Sequence, residues 1–431
     1  MTALVKTLGC RLNLQESAVM DAHLRAVGAT DTVVINTCAV TSEAERQARQ
    51  AIRRARRDHP SARIVVTGCA AQISPDRYAG MPEVDAVVSN TDKLSVSTWT
   101  DLIGDAGAGL GVTDPVAFLP DARAATHDDR ARAIIQVQNG CDHRCTFCII
   151  PYGRGPSRSL PLGVIVRQVQ EAMARGCKEV VLSGVDITSY GGDLPGRPGL
   201  GQMVRRLLAL VPDLPRLRLS SLDPAEIDAD LWRLIAEDDR LMPHLHLSVQ
   251  AGDDMILKRM KRRHRRDDVL RVSARARRLR PDIRFGADLI AGFPTETEAM
   301  FENTLRLVDD ADLTYLHVFP YSERDGTPAA RMPAVPVPVR KDRAARLRSA
   351  GQRAVLAHLD RSVGHSMPVL METPRLGRAA DFTSVAVVAT GTDGEDGPAS
   401  VPPGTLITVQ AIGHDGERLT ARPAAAQAAG T

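Results

Sequence analysis

Three cysteines that lie far apart in the chain occupy equivalent places in the pattern around them, and this limits the fold more than any other feature. LVKTLG (4–9) precedes Cys10, TVVINT (32–37) precedes Cys38 and RIVVTG (63–68) precedes Cys69. Each run is short and mainly apolar, the second of them β-branched, and reads as a strand. Helical spacing over 14–27 and 42–57 separates them, and VDAVVSN (84–90) is a fourth strand candidate. Alternating strands and helices predict an α/β, doubly wound parallel sheet with helices on both faces. In such a sheet ligands gather beyond the carboxyl ends of the strands. Cys10, Cys38 and Cys69 all stand there, which lets them meet around one ligand. Taken singly, each would read as a small buried hydrophobe.

A second group is local. NGCDHRCTFCIIP (139–151) carries Cys141, Cys145 and Cys148 as CxxxCxxC, directly after the strand candidate AIIQVQNG (133–140). Three thiolates on one loop suit three irons of a cubane cluster, whereas protein-held clusters normally take four cysteines. The open iron can chelate the amino and carboxylate groups of S-adenosylmethionine (SAM). The competing reading is zinc, which wants four closed ligands; His143 is the one extra candidate, awkwardly inside the loop. Cys177, between a helix and a strand, reads as a buried thiol without function.

Further strand candidates follow at 179–186, 216–223, 244–250, 283–293 and 314–322, with helical segments between them. About six β–α units predict a partial or complete parallel barrel with its chemistry at the C-terminal strand ends. Asn139, Asp186, Ser221, Gln250, Asp288 and Tyr321 stand at those ends. Residues 101–131 read as a linker, and a Pro-rich stretch at 327–340 leads into a basic helix. Beyond Gly364, short strands divided by Gly-, Asp- and Pro-rich turns predict a small β-barrel. The tail after 422 reads as disordered.

Net charge is only +3, yet Arg is concentrated at 46–57, 258–266, 271–280 and 339–348. Such runs fit solvated helix faces and fit a polyanion-binding surface equally well. Neither a leader peptide nor a membrane span is legible, so a cytoplasmic protein with thiols or metal ligands in place of disulfides is expected.

Together TLGCRLNLQES, VVINTCAVTSEAERQARQ, VVTGCAAQ, NGCDHRCTFCIIPYGRGPSRS, VVLSGVDITSYG, HLHLSVQAGDDMILKRMKRRH and DLIAGFPTETE resemble the radical-SAM methylthiotransferases, over about residues 3–415. NTCAVTSEAERQARQAIRRA and CIIPYGRGPSRS most resemble the branch acting on threonylcarbamoyladenosine (t6A) in tRNA, the MtaB type. Branches acting on isopentenyladenosine or on ribosomal protein S12 stay open, as does a non-catalytic RNA-binding iron–sulfur protein. The resemblance implies a methylthiotransferase N-terminal domain (1–100), a radical-SAM partial barrel (132–330), a linker and basic helix (331–363) and a TRAM-like RNA-binding β-barrel (364–422). It implies two 4Fe–4S clusters: a SAM-cleaving one on Cys141, Cys145 and Cys148, and an auxiliary one on Cys10, Cys38 and Cys69. SAM is expected to serve twice, as methyl donor and as radical source, so that a methylthio group replaces hydrogen on C2 of the base at position 37.

Phe147, Gly184, Asp186, Ser221, Gln250 and Asp288 are the expected cofactor contacts, although the Gly-Gly-Glu usual in radical-SAM proteins is replaced by SGVD (183–186). The expected partners are the tRNA anticodon arm and an electron donor such as flavodoxin or ferredoxin, with the chain acting as a monomer. Arg46, Arg49, Arg53, Arg54, Lys258, Arg259, Lys261 and Arg262 are expected to contact phosphates.

Overall fold

The computed structural model describes residues 2–104, 131–388 and 401–424. Most of the expected linker at 101–131, the turn at 391–400 and the tail from 425 lie outside the described residues.

The first sheet is parallel, with strands in sequential order: β1 (Leu4–Thr7), β2 (Thr32–Thr37), β3 (Arg63–Gly68) and β4 (Ala86–Val87). Alternation along the strands supplies both faces. Val33, Ile35, Ile64 and Val66 pack on Ala51 and Ile52 of α2 (Ser42–Asp58). Val34 and Val65 turn the other way, onto Met20 and Leu24 of α1 (Arg11–Ala26) and onto Trp99. Each buried Val or Ile contributes about 1.5–3 kcal/mol, so helices on both faces hold the sheet in place. Thr41 caps α2 by accepting from the Ala44 N–H at 3.1 Å, and Glu43 and Glu45 stand in its positive first turn.

Six further parallel strands make the partial barrel: β5 (Arg132–Gln136), β8 (Glu179–Ser183), β9 (Arg216–Leu219), β10 (His244–Gln250), β11 (Arg284–Ala291) and β12 (Tyr315–Pro320). Parallel bridges Leu217–Leu241 and Leu222–Leu247 join its two halves. A two-residue ribbon, β6 (Gln138–Asn139) with β7 (Arg158–Ser159), brackets the cysteine loop. The apolar residues of these strands and the helices outside them form one core, with Ile135, Leu182, Leu217, Leu247 and Phe285 fully buried or nearly so.

The C-terminal segment closes into a five-stranded barrel, ordered β13 (Ser366–Met371), β14 (Leu376–Ala379), β15 (Ser384–Val387), β17 (Leu419–Pro423) and β16 (Leu406–His414). It docks on the larger barrel through a tight turn. Thr383 bonds Tyr315 Oη at 2.9 Å and His358 at 2.8 Å, and Arg218 donates to Ala380 O at 3.1 Å. No described helix is long and apolar enough to cross a membrane.

Candidate functional site

Cys10 is the N-cap of α1, Cys38 follows β2 and Cys69 opens the short helix α3 (Cys69–Ile73). Because β1, β2 and β3 are adjacent and parallel, the three thiols stand at one edge of the sheet. The glycines before two of them permit this. Gly9 has φ +96°, and a Cβ there would lie 2.8 Å from Cys38 Sγ. Gly68 has φ +98°, and its Cβ would lie 2.3 Å from Thr37 O. A side chain at either position would push the strand ends apart and would resist the left-handed backbone. Burial raises the Cys38 thiol to about 11.

Cys141, Cys145 and Cys148 wrap the loop between β6 and the short helix α6 (Ile150–Arg154), with Cys148 N donating to Cys145 O at 3.1 Å. Burial, joined by the negative charge of Asp186, lifts Cys141 to about 12, and burial lifts Cys148 to about 11. Metal binding would deprotonate such thiols. Arg262 Nη1 stands 3.6 Å from Cys145 Sγ. His143, the alternative zinc ligand, has Nε2 at 2.9 Å from Asp186 and 2.6 Å from Arg263 Nη2. Its ligand atom and those of Cys141 and Asp186 come within 4.8 Å of one another.

Between the two thiol sets lies a buried polar network that no sequence motif announced. Arg154, at the end of α6, donates to Glu16 at 2.7 Å and to Asn13 Oδ1 at 2.7 Å. Lys93 donates to the same Glu16 carboxylate at 2.7 Å and to Asn90 Oδ1 at 2.7 Å. Asn90 Nδ2 in turn donates to Gly153 O at 2.6 Å and reaches Cys69 Sγ at 3.8 Å. Two cations share one carboxylate, leaving a net positive charge beside the thiols. Such a charge favours thiolate and anionic clusters.

Two cavities open in front of these loops. One, of about 380 Å³, is bounded by Cys10 and Arg11 from the first sheet and by Gly184, Ser221, His246 and Asp288 from the barrel. The other, of about 240 Å³, holds Phe147, Gln250 and again Asp288, with Val40 shared by both. Five of the six expected cofactor contacts therefore line this space. Asp186 stands apart, facing Cys141 and tied to Thr188 and Ser189 at 2.7 Å each. His246 Nε2 and His317 Nδ1 approach Asp288 Oδ1 at 3.0 and 3.2 Å, a pairing missed in the sequence because the three residues sit on three strands. Despite burial, those imidazoles hold the Asp288 carboxyl well below its ordinary range.

The chain matches two family models, the Radical SAM superfamily over residues 135–308 and the Uncharacterized protein family UPF0004 over residues 2–89. It is 51% identical over 383 residues to the threonylcarbamoyladenosine tRNA methylthiotransferase MtaB of Rickettsia prowazekii, covering 88% of this chain and 90% of that one. The chain belongs to the radical-SAM methylthiotransferases. The Thermotoga maritima protein of the same name is 33% identical, with 86% of each chain covered. The tRNA-2-methylthio-N(6)-dimethylallyladenosine synthase of Novosphingobium aromaticivorans is 38% identical over 85% of this chain and 86% of that one. Among solved structures, the radical S-adenosylmethionine methyltransferase TsrM from Kitasatospora setae shares the fold, with a TM-score of 0.57 at 14% identity over 94% of this chain and 80% of that one.

The basic runs of this methylthiotransferase divide. Lys258 and Lys261 are exposed, and α2 presents Arg46, Arg53 and Arg54 outward, paired with Glu43, Glu83 and Asp58 at 2.6, 3.8 and 3.3 Å. Arg49 is half-buried, and Arg259 donates to Thr295 Oγ1 at 2.8 Å. Arg262 corrects the expectation of a phosphate contact. It turns inward to Asp223 at 2.7 Å and to Ser248 O at 2.9 Å, because α10 (Asp254–Arg259) ends just before it and the chain folds back over the barrel mouth.

Proposed function

We propose that this chain adds a methylthio group to C2 of N6-threonylcarbamoyladenosine at position 37 of tRNA. Cys141, Cys145 and Cys148 would hold the SAM-cleaving 4Fe–4S cluster, and Cys10, Cys38 and Cys69 the auxiliary one. The observation that carries this reading is that α6, which directly follows the Cys141–Cys148 loop, bonds through Arg154 and Gly153 to Glu16, Asn13 and Asn90 beside the other thiol set, with Cys10, Ile150 and Arg154 lining one cavity. The donor chemistry fits, since thiolates suit iron–sulfur clusters and each set leaves one iron without a cysteine. Bound there, the clusters and SAM supply the radical and the sulfur; the protein positions them.

The chain's own residues have distinct tasks. Gly9 and Gly68 let the strand ends converge, and Arg154 and Lys93 place positive charge beside the auxiliary site. Ser221, Gln250 and Asp288 offer polar contacts to SAM and the base, while Asp186 stands beside Cys141. Phe147, edge-on to Phe293 at 6.4 Å, keeps the loop dry. A dry cavity protects a carbon radical from solvent quenching. The outward arginines of α2, with Lys258 and Lys261, bind tRNA phosphates, and the C-terminal barrel, TRAM-like in role, grips the anticodon arm. An electron donor of the flavodoxin or ferredoxin kind reduces the clusters, and the chain acts as a monomer in the cytoplasm.

The identity of 51% to an MtaB protein, against 38% to a dimethylallyladenosine synthase, favours t6A as the substrate. A side-by-side assay tests this choice. The reconstituted protein should methylthiolate t6A-bearing tRNA and leave isopentenyladenosine-bearing tRNA and S12 protein unmodified; preference for either of those would overturn the assignment.

A further inference from the structure

The larger cavity has one wall with unspent binding capacity. Arg11, next in sequence to Cys10, lines it. Arg132, Arg218 and Arg378 crowd around Arg11, but each of these has a carboxylate. Arg132 and Arg378 bind Glu372 at 2.5 and 3.0 Å, and Arg218 binds Glu179 at 3.0 Å. Among the described residues the exposed Arg11 side chain forms no ion pair or hydrogen bond; Glu179 attracts it only at longer range, and its guanidinium lies 5.9 Å from the Phe382 ring.

A second group on the same wall is unpartnered. His244, the first residue of β10, is 5% exposed, and neither ring nitrogen has a hydrogen-bond partner. A buried imidazole with both nitrogens unsatisfied is rare in a folded protein. Burial first, then the neighbouring Arg218, pushes its pKa well below the ordinary value. The neutral ring offers one N–H donor and one acceptor.

Phe382 completes the wall. It comes from the C-terminal barrel, where its φ of +77° is sparsely populated for a bulky residue. That conformation sets its ring against His244 at 4.6 Å, nearly parallel, and under Arg218 and Arg378 at 5.1 and 4.4 Å. Such backbone strain clusters at ligand-binding positions. An unpaired guanidinium, a neutral imidazole and an apolar face together suit a small carboxylate carrying a short, partly polar side chain.

We propose that Arg11, His244 and Phe382 form the subsite for the amino-acid part of the N6 substituent: Arg11 takes its carboxylate, His244 its hydroxyl or carbamoyl group, and Phe382 its side-chain carbons. This rests on the reading that t6A is the substrate. It makes Arg11 a specificity-determining residue, because an N6 group without an anion leaves the guanidinium uncompensated. SAM also carries a carboxylate, so the test separates the two ligands.

The test is equilibrium binding to cluster-reconstituted protein without reductant, so that no turnover occurs. The probes are an anticodon stem-loop carrying t6A, the same stem-loop with the threonyl carboxylate amidated, one with unmodified adenosine, and SAM. Wild type should bind the acid about 10–100-fold more tightly than the amide, the span of a charged hydrogen bond. Arg11→Gln should bind acid and amide equally, Arg11→Lys should keep part of the preference, and SAM affinity should not change. Equal binding of acid and amide by wild type, both tighter than unmodified adenosine, would overturn the subsite alone. Retained preference in Arg11→Gln, or a loss confined to SAM, would also overturn it. Wild type binding t6A no better than adenosine would overturn the substrate reading with it.

Discussion

Arg154 grips Glu16 with both Nη atoms, at 2.7 and 3.2 Å, and each side chain is only 2% exposed. Arg154 ends the helix that follows the CxxxCxxC loop, and Glu16 lies on the helix that Cys10 caps, so this pair fixes one thiol set relative to the other. Burial alone would raise the Glu16 carboxyl. Arg154 and Lys93 outweigh it and bring Glu16 down to about 2, against an ordinary 4.5. A depressed carboxylate contributes stability above its unfolded value that disappears as pH falls toward the folded one. Acid should therefore loosen the protein between about pH 4.5 and 2. Glu16→Gln should flatten that dependence in pH-resolved urea unfolding. At neutral pH it should also cost about 3–5 kcal/mol, because two buried cations lose their carboxylate. An unchanged acid profile would remove Glu16 from this role.

Gly68→Ala should cost the auxiliary site and spare the other. Its Cβ would collide with Thr37 O at 2.3 Å, at the point where β2 and β3 bring Cys38 and Cys69 together. Iron per chain after reconstitution should fall by about half, in line with one of two four-iron clusters lost. Full iron loading would show that the strand ends tolerate the displacement.

Much of this was legible from local pattern. Short apolar runs ending at Cys10, Cys38 and Cys69 marked three strands, and the six barrel strands lie where their apolar runs predicted. Strands β14 and β17 were missed: LGRA and LTARP are only four and five residues long, lie among turn residues and carry one large apolar side chain each, too little for their alternation to stand out. The network of Glu16, Lys93 and Arg154 was invisible because its members are 77 and 138 residues apart. Phe382 was missed for a related reason, since a turn residue gains its role only when a separate barrel docks.

Arg262 offers a contrast with its basic neighbours. Arg262→Ala should remove the nearest cation from the buried Asp223, whose carboxyl is held low despite burial by His264 first and Arg262 next, and cost about 3–5 kcal/mol. Lys261→Ala, on the exposed side of the same run, should leave stability within about 0.5 kcal/mol and weaken tRNA binding more at low salt than at high. Thermal melts and salt-resolved binding would check both. Equal destabilisation by the two variants would contradict the division of this run.

Cys177 should be dispensable for iron. Its buried thiol donates to Ala131 O at 3.6 Å and Glu179 O at 3.7 Å, away from both thiol sets. Cys177→Ala should leave iron content at the wild-type level, with a stability loss of about 0.5–2 kcal/mol. Loss of iron in this variant would mean that a ligand set has been misassigned.

Two separate three-cysteine sites should cooperate in methylthiolation of t6A. Nucleoside mass spectrometry, on tRNA incubated anaerobically with reconstituted protein, SAM, sulfide and reductant, tests it most directly. Wild type should yield 2-methylthio-t6A. Cys10→Ala, Cys38→Ala and Cys69→Ala should each abolish that product while 5′-deoxyadenosine still forms, and Cys141→Ala, Cys145→Ala and Cys148→Ala should abolish both. Product from any of the first three variants, or 5′-deoxyadenosine from any of the last three, would show that the six cysteines do not divide into these two sites.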